Sequence, residues 1–447
     1  MKTTHDERKP AAVPERATQA GETGPKDWEW VERHVWTERM LEALAKGVKG
    51  GVWFSLIDKI QRPKTLMAAW MAVKRNGGSA GTDRQSIEEF EKDLAGEIER
   101  LSEALRTGSY RPRPIRRVYI DKAGSTEKRP LGIPCVRDRV VQGAVRLVIE
   151  PIFENVFVNR SYGFRPKRGC KDALRAVESL LNAGYTHVVD ADIKAYFDNI
   201  LHEPLMADIG SYIADGRVLE LIRSFLKQDV LEDLGLWTPE KGSPQGAVIS
   251  PLLANLYLHP VDVAVAAAGF EMIRYADDLV ILCRTGDEAK QALDLLGRLI
   301  AERGLTLHPV KTRLVDLSLP GEWFDFLGYH FEKGTRWPRA KSMKKLRDAI
   351  RSKTSRSHGG SLAMISEDVN RTLRGWFEYF KHSHKPTFAI VDKWVRRRLR
   401  SILRKRQGLH GISRGYDHFR WPNAFFRAHG LFCLEEAHRA LVRSSTR

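Results

Sequence analysis

The sequence predicts an α+β chain, with a mixed α/β core followed by an all-helical C-terminal region. Two apolar runs with strand character predict the core, THVVDADI (186–193) and FEMIRYADDLVILC (270–283). Helical stretches at 171–183, 216–226 and 287–303 separate and flank them, and this alternation marks a mixed core. After Trp337 the patterning turns all-helical. The 447 residues leave room for two to four domains, and 42% hydrophobic with 29% charged residues excludes wholesale disorder.

Taken in order, residues 1–26 are rich in Lys, Glu, Thr, Pro and Gly without hydrophobic periodicity, which reads as a mobile tail. The stretch 64–81 reads as a helix ended by Gly77 and Gly78. A second helix over 86–105 places Ile87, Phe90, Leu94, Ile98 and Leu101 on one stripe. RRVYI (116–120) has strand character, KAGSTEK (122–128) is a turn, and residues 136–151 are helical. A helix is also expected from Ile249. In 386–407, Val391, Trp394, Val395, Leu399, Ile402 and Leu403 share one face and the arginines fall on the other. Trp376, Phe377, Tyr379 and Phe380 form an aromatic stripe at helical spacing, the pattern of core.

Four cysteines, 35, 113 and 150 positions apart, form no CxxC pair, which excludes a zinc finger or disulfide scaffold and suits a reducing compartment. The first residues lack the apolar stretch of a secretory signal. Residues 242–261 are uncharged, but Pro244, Gln245, Pro251 and Asn255 make them a poor membrane span. The net charge of +18 is unevenly placed. From Arg336 onward there are 27 Lys and Arg against 8 Asp and Glu, a net of +19, which leaves −1 for the rest. A basic block of this size calls for a polyanion, because neutralised phosphates release counterions. Nucleic acid is favoured over a membrane surface, since no apolar anchor accompanies the charge.

Two acidic clusters sit within apolar strands. In YADD (275–278) two adjacent aspartates interrupt the run from Phe270 to Cys283. A buried carboxylate is costly unless paired or metal-bound, although a polar turn facing water would also account for this motif taken alone. The second cluster, Asp190, Asp192 and Asp198 in VVDADIKAYFDNI (188–200), lies at another strand end. Period-two alternation puts Asp190 and Asp192 on one face, and if the two strands are neighbours Asp192 and Asp277 converge. Carboxylates so placed can hold two Mg²⁺ ions roughly 3.5–4 Å apart, the arrangement for in-line nucleotidyl transfer. Asp190 is either a third ligand or structural, and Asp192 is preferred. Between the clusters, Gly242, Ser243, Pro244 and Gly246 let backbone approach a flat ligand closely; a plain turn before a core helix has the same composition.

The ordered motifs RPLGIP (129–134), SYGFRP (161–166), DADIKAYFD (190–198), GSPQGAVISPLLANLYL (242–258), RYADDLVIL (274–282), GLTLHPVKT (304–312) and FDFLGYHF (324–331) resemble a reverse transcriptase. More narrowly, the chain is similar to the reverse transcriptase–maturases encoded by bacterial group II introns, from about Phe54 to Val442. This resemblance implies a right-hand polymerase with fingers, a ferredoxin-like palm and a helical thumb. The expected division is a tail to residue 26, an N-terminal extension and fingers (27–185), palm (186–335), thumb or maturase domain (336–410) and a short basic DNA- or RNA-binding segment (411–447).

Residue by residue, the resemblance implies Asp192, Asp277 and Asp278 as the catalytic metal triad for two Mg²⁺ ions, with the Ile193 carbonyl nearby and Asp278 the weaker ligand. Phe197 matches the aromatic that lies under the incoming sugar and excludes ribonucleotides. Gln245 and Gly246 match the loop on the templating base pair. Lys122 and Arg129 match finger residues that clamp the triphosphate, and Lys311 matches a lysine that protonates pyrophosphate. Without the resemblance, Phe197 reads as core packing and Lys122 and Lys311 as solvated surface. The arginines at 396, 397, 398, 400, 404 and 406 are candidates for structured RNA backbone, which is read through shape and phosphate: Arg396, Arg397, Arg398, Arg400, Arg404 and Arg406. The paired cysteines of the HNH endonuclease that follows this region in related proteins are not in the sequence, so second-strand cleavage is not expected and priming from an existing nick or nascent strand is.

The expected activity is therefore RNA-directed DNA polymerisation from dNTPs on a DNA primer. Binding of group II intron RNA would accompany it, in the bacterial cytoplasm, nucleoid-associated and without a membrane. The rivals are the same fold used in phage defence, DNA repair or beside a CRISPR integrase, a non-catalytic RNA-binding splicing factor, and an architectural DNA-binding protein.

Overall fold

The computed structural model describes residues 28–48, 51–121, 128–233, 235–332 and 334–445. The expected N-terminal tail, residues 122–127 of the expected turn 122–128 and the candidate Lys122 lie outside the described residues, and Lys128 belongs to a strand.

Helix Pro63–Asn76 starts with proline in its first turn, where the missing N–H costs nothing, and ends at Gly77 with φ +65°. The single helix expected over 86–105 is two, Ile87–Lys92 and Leu94–Thr107. The first begins at a reciprocal Ser86–Glu89 capping box. The break falls at Asp93, whose carboxylate receives Arg100 at 2.8 Å and lies so close to Gly96 that a Cβ there would stand 2.5 Å from Oδ1. An aspartate engaged with its own chain this way competes with the helical backbone. The predicted stripe survives the break, with Ile87, Phe90, Ile98 and Leu101 buried.

Among the described residues eleven strands follow in chain order: β1 (Ile115–Asp121), β2 (Lys128–Ile133), β3 (His187–Asp192), β4 (Val230–Glu232), β5 (Gly235–Trp237), β6 (Glu271–Tyr275), β7 (Asp278–Cys283), β8 (Arg313–Asp316), β9 (Trp323–Phe326), β10 (Tyr329–Glu332) and β11 (Thr335–Pro338). They form three sheets, ordered β2-β1-β4-β5, β6-β7-β3-β8 and β11-β10-β9. In the first, β4 pairs in parallel with β1 and so joins residues 230–232 to the hairpin of 115–133. The second is wholly antiparallel and central.

Alternation along its strands sends residues to two different cores. Val189, Ala191, Leu279, Ile281 and Cys283 join the large core with helices Ser250–Ala267 and Gly286–Glu302. Val188, Ile273, Val280, Leu282 and Val315 pack with helix Cys170–Asn182 and with Phe324, Phe326, Tyr329 and Phe331 of β9 and β10. Burial on both faces explains why LVILC is continuously apolar rather than alternating. A third core joins Ala340–Lys353, Leu362–Phe380 and Pro386–Arg406 to Trp421, Phe426 and Leu434, with Phe377 inside it and Trp376 at its edge. Phe380 instead closes the second core beside Tyr379. No helix of the described residues is long and apolar enough to cross a membrane.

Candidate active site

The two acidic clusters meet on the central sheet. β3 and β7 run antiparallel with Asp192 directly opposite Asp278, so these side chains share a face. Asp190, two residues earlier, lies on that face opposite Arg313 of β8, and the pair bonds at 3.3 Å. Of the two roles open to Asp190, this geometry favours the structural one. The β6–β7 register pairs Tyr275 with Asp278, leaving Ala276 and Asp277 as the hairpin tip.

That tip is strained and supported. Ala276 has φ +60°, a conformation a non-glycine residue holds only where its surroundings fix it. Arg274, 1% exposed, donates from Nη1 to the Ala276 carbonyl and to Asn255 Oδ1, both at 3.0 Å. Its Nε donates to Asp262 Oδ1 at 2.7 Å, and Nη2 bonds the other oxygen of that buried carboxylate. Asn255 Nδ2 in turn donates to the Gly163 carbonyl at 2.7 Å. Gly163 presses on the tip so closely that a Cβ would lie 2.3 Å from the Ala276 nitrogen, which is why SYGFRP carries glycine there. Arg274, Asn255, Asp262 and Gly163 were not among the site residues expected from sequence. The available signal was an arginine and an aspartate inside otherwise apolar stretches.

Burial, with neighbouring carboxylate charge added, raises the proton affinity of Asp190, Asp277 and Asp278. Burial pushes Asp278 up to about 7, the charges of Asp190 and Asp277 add to this, and the Leu327 N–H opposes it. Burial likewise raises Asp190 to about 6 against the pull of Arg313. Asp277 is raised by burial and by Asp192, while Arg129 and Lys311 pull it down, so both cations bear on this carboxylate. Lys311 Nζ bonds Asp192 Oδ2 at 2.7 Å. Among the described residues no three acidic, histidine or cysteine side chains already stand as a closed metal cage. The donor set nonetheless suits a divalent cation: hard carboxylate oxygens, mutually repelling, with an ammonium on one of them.

A pH dependence follows. Asp278 gains its proton near pH 7 when folded but near 3.8 when unfolded, so the folded chain holds the extra proton between these values. This contribution to stability is complete below the unfolded pKa and is lost as pH rises through about 7. In EDTA the melting temperature should therefore fall from pH 5 to pH 8 more for wild type than for Asp278→Asn. Equal falls would clear Asp278 of the effect.

The glycine-rich loop packs beside this site. Ser243 N donates to the Phe197 carbonyl at 2.8 Å and Gly242 N to that of Ile200 at 2.7 Å. Gly132 N of β2 donates to the Gln245 carbonyl at 2.7 Å, tying the loop to the β1–β2 hairpin. Gly246, at φ +112°, comes so near that a Cβ would stand 2.4 Å from the Gly132 oxygen, leaving room for no side chain. A cavity of about 250 Å³ opens between Arg117, Gly132, Asp198, Trp237, Pro244 and Gln245. Phe197 is half-buried, its ring 5.4 Å from Tyr196 and 6.4 Å from Phe164, the neighbour of Gly163. Arg129 is exposed on β2, and Ile193 is buried beyond the end of β3, bridged to Leu307.

The arginines of Pro386–Arg406 do not all face away from the core as expected. Arg400 is 1% exposed, donating from Nε to the Trp421 carbonyl and from Nη2 to Asn423 Oδ1, each at 2.9 Å. Arg404 is engaged by the His410 carbonyl at 2.9 Å and the buried Asp417 at 3.2 Å, and Arg398 by Thr354. Arg396 lies 3.9 Å from Asp392, Arg406 bonds the His358 carbonyl at 3.1 Å, and Arg397 is exposed. For Arg400 and Arg404 the cause is the polypeptide from His410 to Asn423, which folds over the helix and needs donors for its carbonyls. Arg398 and Arg406 instead serve Thr354 and the His358 carbonyl of the loop before Leu362–Phe380. Arg400→Ala should cost about 1–3 kcal/mol by leaving buried acceptors unmet, with the salt dependence of RNA binding unchanged. A reduced salt slope in that variant would show that Arg400 contacts phosphate after all.

Residues 120–331 match the family described as reverse transcriptase (RNA-dependent DNA polymerase), and residues 343–415 match the maturase-specific domain of group II introns. The group II intron-encoded protein LtrA of Lactococcus lactis subsp. cremoris is 37% identical over 231 residues, 51% of this chain and 38% of that protein. Protein YkfC of Escherichia coli (strain K12) is 39% identical over 214 residues, 46% of this chain and 56% of its own. A putative COX1/OXI3 intron 1 protein of Saccharomyces cerevisiae is 24% identical over 416 residues, 79% of this chain and 49% of that protein. The chain thus spans roughly half the length, or less, of the curated relatives it matches.

Proposed function

We propose that this chain, which belongs to the group II intron reverse transcriptase–maturases by the two regions it carries, is an RNA-directed DNA polymerase that also binds group II intron RNA and assists its splicing and mobility. The observation that carries the polymerase reading is the pairing of Asp192 with Asp278 beside Asp277 at a supported hairpin tip. The strand order β6-β7-β3-β8 is that of a ferredoxin-like palm, which supports assigning 186–335 to the palm. Residues 27–185 would then form the N-terminal extension and fingers, 336–410 the thumb or maturase domain, and 411–447 a basic DNA- or RNA-binding segment.

In this reading Asp192, Asp277, Asp278 and the Ile193 carbonyl would hold two Mg²⁺ ions. Bound there, divalent ions supply acidity to a primer 3′-hydroxyl and charge neutralisation to the leaving pyrophosphate. The chain's own groups do the rest. Asp192, which bonds the Lys311 ammonium at 2.7 Å, would be a ligand, and the Lys311 ammonium would hold the proton that pyrophosphate needs on departure. Arg129 grips the triphosphate through its planar donor fork, and Lys122 is assigned to the same anion from its sequence motif alone. Phe197 lies under the sugar of the incoming dNTP and excludes a 2′-hydroxyl, and Gln245 with Gly246 bears on the templating base pair. Arg397, exposed, and other basic groups of the helical region take RNA phosphates. The setting is the bacterial cytoplasm, on nucleoid and intron RNA.

The test is extension of a DNA primer on an RNA template with dNTPs and Mg²⁺, alongside binding of structured RNA by the same preparation. Template-dependent cDNA supports the polymerase. Tight RNA binding with no extension would replace it with the non-catalytic splicing-factor reading.

A further inference from the structure

After helix Pro386–Arg406 the chain forms a loop and one short helical turn, Asp417–Arg420. Its inner side is firmly fixed. Arg404 holds the His410 carbonyl and the Asp417 carboxylate, Arg414 N donates to Asp417 Oδ2 at 2.7 Å, and Arg400 holds the Trp421 carbonyl. Its outer side carries Tyr416 at 79% and Phe419 at 84% exposure, their centroids 6.4 Å apart and planes tilted by 48°. Single exposed apolar residues are ordinary, but two aromatic rings held outward by an anchored segment are not.

The exposed charge along this segment has one sign. Between Asp392 and Glu435 the sequence has a single acidic residue, Asp417, and it is buried and paired. Lys405, Arg406, Arg414 and Arg420 are all exposed on this segment. Exposed rings on a stretch whose exposed charged side chains are all cationic fit a ligand that is anionic along its backbone and aromatic off it. A duplex hides its base faces, and a protein partner would need a matching acidic surface.

We propose that Tyr416 and Phe419 form a base-stacking platform for unpaired nucleotides of bound RNA, with Arg414 and Arg420 taking the flanking phosphates. The tilt gives each ring its own face, so each stacks a separate base. This rests on the RNA-binding reading of the helical region and narrows it from structured RNA in general to its single-stranded bulges, loops or ends.

The experiment titrates the full chain against two RNAs of equal length, a hairpin with a 2-aminopurine-labelled unpaired loop and a fully paired duplex, at several salt concentrations. Removing one ring should weaken hairpin binding by about 5- to 150-fold, the range that loss of one base stack produces. Tyr416→Ala and Phe419→Ala should each do so, lose the fluorescence quenching, and leave duplex affinity and salt slope unchanged. The double Arg414→Ala, Arg420→Ala variant should weaken both RNAs and lower the salt slope by about 2. Phe419→Trp, which keeps a ring, should retain wild-type binding, and thermal melts of every variant check folding. If wild type binds both RNAs and the alanine variants bind the hairpin as wild type does, or lose both RNAs equally, the platform is overturned while the RNA-binding reading stands. A wild type that binds neither RNA overturns both. Alanine variants that keep RNA affinity but shift from dimer to monomer in gel filtration would assign the rings to contact between copies instead.

Discussion

Asp277→Asn is expected to reduce single-turnover primer extension by a factor of about 10³ or more, with template and primer binding nearly unchanged. The side chain sits at the hairpin tip, clear of the register that joins Asp278 to both Tyr275 and Asp192. Asparagine keeps its shape and removes a ligand charge. Ion-mediated stabilisation of a nucleotidyl-transfer transition state amounts to several kcal/mol, and about 4 kcal/mol corresponds to the stated factor. Asp192→Asn should match it, since its carboxylate lies opposite Asp278 and already attracts a cation, Lys311, at 2.7 Å. Asp190→Asn should be far milder, because that carboxylate is committed to Arg313 at 3.3 Å. Mn²⁺ titration followed by electron paramagnetic resonance gives an independent readout: binding should weaken in the Asp192 and Asp277 variants but not in Asp190→Asn. Equal losses at all three positions would mean that the cluster acts through its summed charge rather than through particular ligands.

The contrast between Asp190 and Asp192 shows what the amino-acid pattern can and cannot convey. Period two places both on one face, and no local signal separates them, since the distinction comes from Arg313 on β8, 123 positions from its partner. Helices such as Pro63–Asn76 and Gly216–Leu226 were legible because their apolar spacing and end signals are local. Strands β4, β5 and β9 to β11 were not, being three or four residues long, too short to display a period. Arg400 looked like a surface cation because the carbonyl it serves belongs to Trp421, on a segment that folds back over the helix. Lys311 has the sequence neighbourhood of a solvated surface lysine, and only its place in the family motif marks it. Its contact with Asp192 depends on the central sheet bringing the ends of β3 and β8 together.

Arg274→Met is expected to destabilise the protein by about 3–5 kcal/mol, as removal of one partner strands a buried charge, here the Asp262 carboxylate. The double variant Arg274→Met, Asp262→Leu should recover most of that stability, since a buried ion pair replaced by apolar groups of similar volume is often neutral. Extension should not recover with it. The guanidinium has a second duty that no apolar pair can perform, donating to the Ala276 carbonyl and, through Asn255, bracing Gly163 against the tip. Without those donors Ala276 has little reason to keep φ at +60°, and the aspartate that follows it loses its aim. Denaturant unfolding and single-turnover extension, measured on wild type, single and double variants, separate the two duties. Restored stability with extension still down tenfold or more would identify Arg274 as a positioning residue for Asp277. Full recovery of both would reduce it to a core ion pair, and the tip would then be held by Gly163 and the β6–β7 register alone.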